Sequence, residues 1–482
     1  MRLIPIGLVL AAVAGCSRPS REALRHTALV EVFNSCKDSV VSFAAQRTEV
    51  TEKPAPDGKG PAKRVTTTRT QWGAGCILHE AGYILSNSHM LLFEGDRKAV
   101  LHDGSSFPAR AIADDPANDL ALLKIDAGRP LKPLKLGRSA AVMVGEPAVT
   151  IGNPFGIGFT MASGIVSGVH RHVTTEHTHL VDVVQTDASI NPGSSGGPLL
   201  NVLGEMIGLC TSNKTAAENI GFAIAIDRIR AIFPELAAPE QRYGFILGMD
   251  VATDGPPKVT RVAKGSPADD AGVAVGDIVA RVGTEPVRSG IDYYLALIGR
   301  KGGEALPLKL LRKGKAIETT ATLAEVKPLP AEAVEGLVAG LDYTHYHGRW
   351  EKLPDFDTLR AVSTGTVAAF GLDKFKGREG FGMKYTGYVE VAADGVYIFS
   401  TRSDDGSRLW IGDELVVDND GLHAAAVKRG FIPLKAGKHR ITVAFFEASG
   451  DDELEVFYEG PGIRRQPIPA SALFRPAPKP AP

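Results

Sequence analysis

Three side chains in this sequence could perform nucleophilic chemistry if the fold brought them together. His89 closes the run Ile84-Leu85-Ser86-Asn87-Ser88-His89, Asp119 opens Asn118-Asp119-Leu120-Ala121-Leu122-Leu123-Lys124-Ile125, and Ser195 stands within Asn191-Pro192-Gly193-Ser194-Ser195-Gly196-Gly197-Pro198. A serine hydroxyl attacks a carbonyl only when a neutral imidazole takes its proton. A carboxylate on the other imidazole nitrogen fixes the tautomer and stabilises the imidazolium that forms. The tetrahedral intermediate needs N–H donors aimed at its oxygen, each worth about 3–4 kcal/mol of barrier. Glycines around Ser195 let the backbone turn sharply enough for the amides of Gly193 and Ser195 to form that oxyanion hole. Singly, each residue has an ordinary explanation: one of twelve histidines, an acid at a strand end, a Gly-Ser loop. Together, in the order His, Asp, Ser, they point to acyl transfer. The stretch Gly193–Gly197 also satisfies G-x-S-x-G, but that motif needs a helix after the serine, with acid and histidine downstream. Here Gly-Gly-Pro and an apolar run follow, which is a poor helix start.

The elements that must position these residues are short strands. Residues 24–234 alternate apolar runs (Val40–Ala44, Gly75–Leu78, Tyr83–Ser86, Leu120–Ile125, Val181–Gln185, Met206–Cys210, Phe222–Ile226) with Gly- or Asn-rich turns, the pattern of an all-β barrel or sandwich. Thr48–Thr70 lacks apolar periodicity and reads as a loop, and Pro234–Gln241 reads as a break ending the first unit. Residues 242–326 form a compact block with one helix expected over Gly290–Gly299, from apolar positions at Ile291, Tyr294, Leu295 and Ile298. A linker at 327–336 leads to a second strand-rich unit at 337–474, and a Pro-rich tail occupies 475–482. With 482 residues, 44% hydrophobic and 23% charged, the chain is ordinary globular material, not a disordered or fibrous one. The 53 glycines and 31 prolines suit tight turns between strands. A net charge of −1 without a basic stripe excludes a nucleic-acid binder. The fold class expected is therefore mainly β.

On Val184–Leu200 (VQTDASINPGSSGGPLL), Ile151–Gly156 (IGNPFG), Ser163–Ser167 (SGIVS), Asn219–Asp227 (NIGFAIAID) and the His89 and Asp119 segments, residues 30–235 resemble the HtrA (Deg) family of serine proteases. The resemblance implies a chymotrypsin-like double β-barrel divided near residue 133, with the triad between barrels. It also implies ATP-independent endoproteolysis of unfolded or damaged envelope proteins, needs no cofactor for the cut, and suggests a homotrimer. Ser194 departs from the asparagine usual beside the nucleophile, but its backbone rather than its side chain serves the site. By motif position, Ile190 lines the primary specificity pocket and Leu209, Cys210, Thr211 and Ser212 pair with substrate backbone, favouring small aliphatic residues before the cut.

Residues 242–326 resemble a PDZ domain on Ile246-Leu247-Gly248-Met249, Ser266-Pro267-Ala268, Ala271-Gly272-Val273 and Gly276-Asp277-Ile278-Val279. The first of these would receive a peptide's C-terminal carboxylate on backbone N–H groups while the peptide adds a strand beside the helix. Residues 337–474 resemble the protective-antigen-type β-sandwich, on Trp350–Phe356, Gly395–Phe399, Ser403–Ile411, Val417–Gly421 and Ile468–Leu473. In sugar-binding members of that family paired aspartates hold a calcium ion that chelates glycan hydroxyls. Asp404 and Asp405 offer the hard oxygens calcium requires, with further ligands expected from Ser449–Asp452. The same Asp404-Asp405-Gly406 also reads as a plain turn closed by side-chain hydrogen bonds, and the sequence leaves both readings open.

The first sixteen residues are an address. Arg2 and the apolar stretch at residues 3–14 are far shorter than the ~20 residues needed to span a bilayer. Val13-Ala14-Gly15-Cys16 resembles a bacterial lipobox, which implies lipidation at Cys16 and anchoring to a cell-envelope membrane; plain signal-peptide cleavage is the other reading. Cys36, Cys76 and Cys210 remain, the last two in apolar runs that suit buried thiols, with a Cys76–Cys210 disulfide also open. The rival for the whole chain is a non-catalytic holdase or carbohydrate-binding adhesin on a protease scaffold, against which the complete triad argues.

Overall fold

The structure, a computed structural model, describes residues 25–53, 63–91, 97–174, 179–213, 219–373, 375, 379–450 and 452–478. The address segment and Cys16 lie outside the described residues. Thr27 caps the helix α1 (Ala28–Cys36), accepting the Val30 N–H, and delivers the chain to the first sheet. That sheet holds β1 (Val40–Lys53), β2 (Lys63–His79), β3 (Tyr83–Ser86), β4 (Lys98–Val100), β5 (Ser106–Pro108), β6 (Arg110–Asp115) and β7 (Leu120–Lys124), in the order β5-β4-β1-β2-β3-β7-β6. Its hydrogen-bonded path is open, whereas the second half closes. There β8 (Pro147–Gly152), β9 (Thr160–Thr174), β10 (His179–Thr186), β11 (Pro198–Leu200), β12 (Met206–Asn213) and β13 (Gly221–Ala225) form a barrel ordered β10-β13-β12-β11-β8-β9.

Both faces of the first sheet are covered, which explains the unbroken apolar run Leu120–Leu123. Ala121 and Leu123 join Val41, Phe43, Ile77 and Ile84 in one core, while Leu120 and Leu122 face the larger core shared with Val40, Cys76 and Leu85. Cys36, Cys76 and Cys210 are all buried free thiols. Burial pushes the Cys210 thiol up to about 12, so it behaves as a small hydrophobe.

Several expected boundaries are corrected. Of Thr48–Thr70, residues 48–53 and 63–70 are strand, since β1 and β2 pair in register from Val40–Cys76 out to Lys53–Lys63, while 54–62 lie outside the described residues; the Thr-rich composition favours pleated backbone. Pro234–Gln241 is helical, not a break. α2 (Ile226–Ala237) runs through Pro234, burying Ile226, Ile229, Ile232, Phe233 and Leu236, and α3 (Pro239–Tyr243) follows the left-handed residue Ala238. The helix expected over Gly290–Gly299 spans Gly290–Ala296 and tightens at its end, where Leu297 N–H reaches Tyr294 O.

The block after α3 carries the paired strands Met249–Val251 and Val259–Val262 and a four-stranded sheet built on Ile278–Val282, all sharing the larger core with α2. The last unit packs an eight-stranded sheet on a four-stranded one, with Tyr385, Tyr397, Phe399, Phe445 and Val443 fully buried between. The linker is docked on this unit, since Leu329 exchanges backbone bonds with Pro433 and Lys435. The tail likewise starts in the sheet, Leu337–Ala339 pairing with Phe474–Pro476. Arg429 of this unit donates to the backbone carbonyls of Asp114 and Glu235, tying it to the first sheet and to α2. Among the described residues no helix is long and apolar enough to cross a membrane.

Candidate active site

His89 and Asp119 meet because β3 and β7 are neighbours, with Ser86 opposite Ala121. His89 follows β3 in a single 3₁₀ turn, Ser88–Leu91, and Asp119 precedes β7 at the end of the turn Pro116–Asp119, whose N–H returns to Pro116 O. Asp119 adopts φ +51°, a left-handed conformation aspartate tolerates. Its carboxylate is 2.9 and 3.0 Å from His89 Nδ1 and accepts the His89 backbone N–H at 3.1 Å. It also accepts the Thr211 hydroxyl at 2.5 Å, so a side chain only 4% exposed meets three donors. Asn87 Nδ2 donates to the Asp119 carbonyl at 3.0 Å, and Arg228 of α2 donates to Asn118 Oδ1 at 2.9 Å, pinning the turn from both sides.

Ser195 arrives from the closed barrel of the second half. Its loop is locked by Gly196 N–H to Cys210 O, Cys210 N–H to Gly197 O and, from the first sheet, Ala74 N–H to Ser195 O at 2.7 Å. The Ser195 hydroxyl donates to Thr211 O at 2.7 Å. Thr211 thus links Ser195 to Asp119: its carbonyl receives Ser195 and its hydroxyl serves Asp119. A hydroxyl has one hydrogen, and here it points to Thr211, so attack requires that hydrogen to swing to the imidazole.

The glycines are needed where expected. Gly193 has φ +108°, and a Cβ there would lie 2.5 Å from Asn153 O; at Gly196, φ +83°, it would lie 2.1 Å from Ala74 O. Among the described residues neither the Gly193 nor the Ser195 amide donates to another protein group, which leaves both for an oxyanion. Ser194 closes the turn, its N–H on Asn191 O at 2.8 Å. The strand–Ser–helix order of an α/β-hydrolase is absent, because the strand Pro198–Leu200 follows Ser195. Ile190 is buried against Gly221 and the second-barrel core, and Leu209, Cys210 and Thr211 are buried within β12. Thr211 was expected only as a substrate-pairing residue; its hydroxyl role could be found in sequence only by noticing a lone polar side chain beside an apolar strand.

In the last unit Asp404, Asp405 and Glu447 present carboxylate oxygens within 4.8 Å of one another. Asp404 accepts Ala425 N–H, and Asp405 accepts the N–H groups of His423 and Ala448, all near 3 Å. These partners lie on neighbouring loops rather than within the Asp404–Gly406 turn. Glu447 is 0% exposed and among the described residues neither of its oxygens has a hydrogen-bond partner, while burial and the adjacent carboxylates push it up to about 8. An acid cluster with orphaned buried oxygens is the donor set a hard divalent cation fits. Glu447 lies just before the Ser449–Asp452 segment expected to supply further ligands, of which Asp451 is outside the described residues.

The trypsin-like peptidase domain family matches residues 73–209, the PDZ domain family 258–312 and the PA14 domain family 373–471. Protease Do-like 1, chloroplastic, of Arabidopsis thaliana is 33% identical over 281 residues, covering 53% of this chain and 64% of its own. Putative serine protease HhoA of Synechocystis is 34% identical over 53% of this chain and 71% of its own. A probable periplasmic serine endoprotease DegP-like of Pseudomonas fluorescens is 30% identical over 67% of this chain and 73% of its own. Among solved structures, an HtrA-type protease AlgW with decapeptide is 26% identical over 62% of this chain and 99% of its own, at a TM-score of 0.37. The chain spans between 54% and 73% of the length of these DegP-like relatives. Likeness that continues through both halves of the peptidase unit and beyond it has one explanation: the chain belongs to the HtrA family of DegP-like serine proteases.

Proposed function

We propose that the protein is a serine endopeptidase of the bacterial cell envelope that cleaves unfolded or damaged proteins through an acyl-enzyme. The observation that carries this reading is the linked set His89–Asp119–Thr211–Ser195: His89 bonds Asp119, and Thr211 serves both Asp119 and Ser195. In the cut, the Ser195 hydroxyl leaves Thr211 O, gives its proton to His89 Nε2 and bonds to the carbonyl carbon. Asp119 stabilises the imidazolium through Nδ1, and the amides of Gly193 and Ser195 receive the oxyanion. His89 then returns the proton to the leaving amine, and water repeats the sequence to release the acyl group. Ile190 shapes a small aliphatic specificity pocket, and β12 residues Leu209–Ser212 present backbone to the substrate.

Around this centre, the PDZ unit binds C-terminal peptides at Ile246–Met249, and the PA14 unit holds calcium with Asp404, Asp405 and Glu447 to recognise glycans. A lipid on Cys16 anchors the chain at the membrane, and three copies assemble. The periplasmic DegP-like relatives support the envelope location. Casein degradation by wild type and Ser195→Ala tests the enzyme. Turnover only by the wild type is expected; equal turnover overturns it, and inactivity of both favours a binding protein on a protease scaffold.

A further inference from the structure

We infer that the peptide groove of the PDZ unit carries an internal ligand at rest: Glu240 occupies the carboxylate loop, and Tyr293 and Tyr294 occupy the edge strand that a bound peptide would extend. This rests on reading residues 242–326 as a peptide-binding PDZ domain. In the loop Ile246–Met249 the carbonyls are turned into the domain body. Leu247 O accepts Ala268 N–H at 2.9 Å, and Gly248 O accepts Ala263 N–H at 2.8 Å. The amides are turned the other way. Gly248 N–H donates to Glu240 Oε1 at 3.1 Å, and the Leu247 amide also bonds this carboxylate. Gly248 holds φ +79°, and a Cβ there would lie 2.3 Å from Ser266, so the loop keeps the backbone shape that exposes those N–H groups. These are the donors a peptide C-terminus would need, and a carboxylate already holds them.

The strand beside the loop is satisfied in the same way. Met249–Val251 pairs with Val259–Val262 on one edge. On the other, the Tyr293 hydroxyl donates to Met249 O at 3.1 Å. The Tyr294 hydroxyl donates to Val251 O at 3.2 Å while accepting Val251 N–H at 3.3 Å. Strand addition requires unpaired N–H and C=O groups on an edge, and here two helix hydroxyls take that place. Both tyrosines are buried, and burial pushes Tyr294 up to about 12, so each stays a neutral donor. Glu240 is on α3, the short helix between protease and PDZ units, so an arriving C-terminus must expel a side chain of the connection itself. Occupancy of this kind lowers apparent peptide affinity by the fraction of open groove, and charge-assisted bonds make that fraction small.

The test uses full-length protein carrying Ser195→Ala, so that nothing is cut, and a fluorescein-labelled decapeptide with an apolar, free C-terminus, read by anisotropy. Glu240→Ala should bind about tenfold more tightly than its parent, and the isosteric Glu240→Gln should fall between them. Tyr294→Phe added to Glu240→Ala should tighten binding again. The same peptide with an amidated C-terminus should gain nothing from Glu240→Ala. Equal or weaker binding by both Glu240 variants, with the parent binding well, would overturn the internal ligand and leave the PDZ reading standing. An equal gain by the amidated peptide would also overturn it. Binding by none of the proteins would remove the PDZ reading and this inference together.

Discussion

Gly193→Ala isolates the oxyanion hole. The alanine Cβ would lie 2.5 Å from Asn153 O and 2.7 Å from Pro154 Cα, distances real Cβ atoms do not show, so the backbone at 193 must move. The new residue would also inherit φ +108°. Such a conformation costs a non-glycine residue on the order of 1–3 kcal/mol. Movement of the Gly193 amide removes one of two donors to the oxyanion, a loss of about 3–4 kcal/mol of transition-state binding, or roughly 10²–10³ in kcat. Because the lost bond forms only in the transition state, KM should change little. Gly145→Ala is the control: it has φ +94° and nothing within 4 Å of its Cβ position, so it carries comparable strain without the collision. Hydrolysis of a fluorogenic peptide gives kcat and KM, and thermal unfolding reports stability. Both variants should lose stability, Gly193→Ala the more of the two, and only Gly193→Ala should lose kcat. Gly193→Ala with kcat within about twofold of wild type would show that the oxyanion is bound elsewhere.

Thr211→Val keeps the carbonyl that holds Ser195 but removes the hydroxyl 2.5 Å from Asp119. Loss of a bond to a buried carboxylate, about 1.5–3 kcal/mol, should lower kcat by roughly 10–100-fold, with Thr211→Ser restoring it. Titration with calcium chloride should release or absorb heat in the wild type and much less in Glu447→Gln. Saturating calcium should also raise the unfolding temperature, by linkage worth about 2.7 kcal/mol at a hundredfold excess over Kd; no heat in the wild type would favour the turn reading. Burial holds the Asp114 carboxyl up at about 6, above the ordinary 3.8, against the pull of Ser88. The native state therefore holds this proton more tightly than the unfolded chain, so the stability it contributes is complete below the unfolded value and is lost as pH rises through about 6. Asp114→Asn should flatten that part of the urea-midpoint profile; an unchanged profile would refute the assignment.

Much of the site was legible because its residues are chemically constrained. His89 and Asp119 each sit at the end of an apolar run, and adjacent strand ends bring them together; the glycines of Gly193–Gly197 announce a backbone that no side chain permits. Thr211 was harder, since nothing local distinguishes a threonine that serves a buried acid from one that fills a strand. Glu447 was invisible for a similar reason: pairing of Ser407 with Phe445 and of the Gly406 carbonyl with the Phe446 N–H, not sequence distance, places it beside Asp405. The expected loop at Thr48–Thr70 failed because missing apolar alternation does not forbid a backbone ladder, and residues 48–53 pair with 63–68. The expected break at Pro234 failed because Ile226, Ile229, Ile232, Phe233 and Leu236 form a buried helical stripe strong enough to carry one proline. Glu240 lies in the segment read only as a break, and nothing in its neighbours announces that the fold sets the Gly248 amide on its carboxylate.

Whether Ser195 is an activated nucleophile can be read directly by treating the native protein with a fluorophosphonate and mapping the adduct by mass spectrometry. A single adduct on Ser195, lost in His89→Ala and greatly slowed in Asp119→Asn, is the outcome this geometry requires. Labelling of other hydroxyls at the same rate, or reaction at Ser195 indifferent to His89, would contradict it.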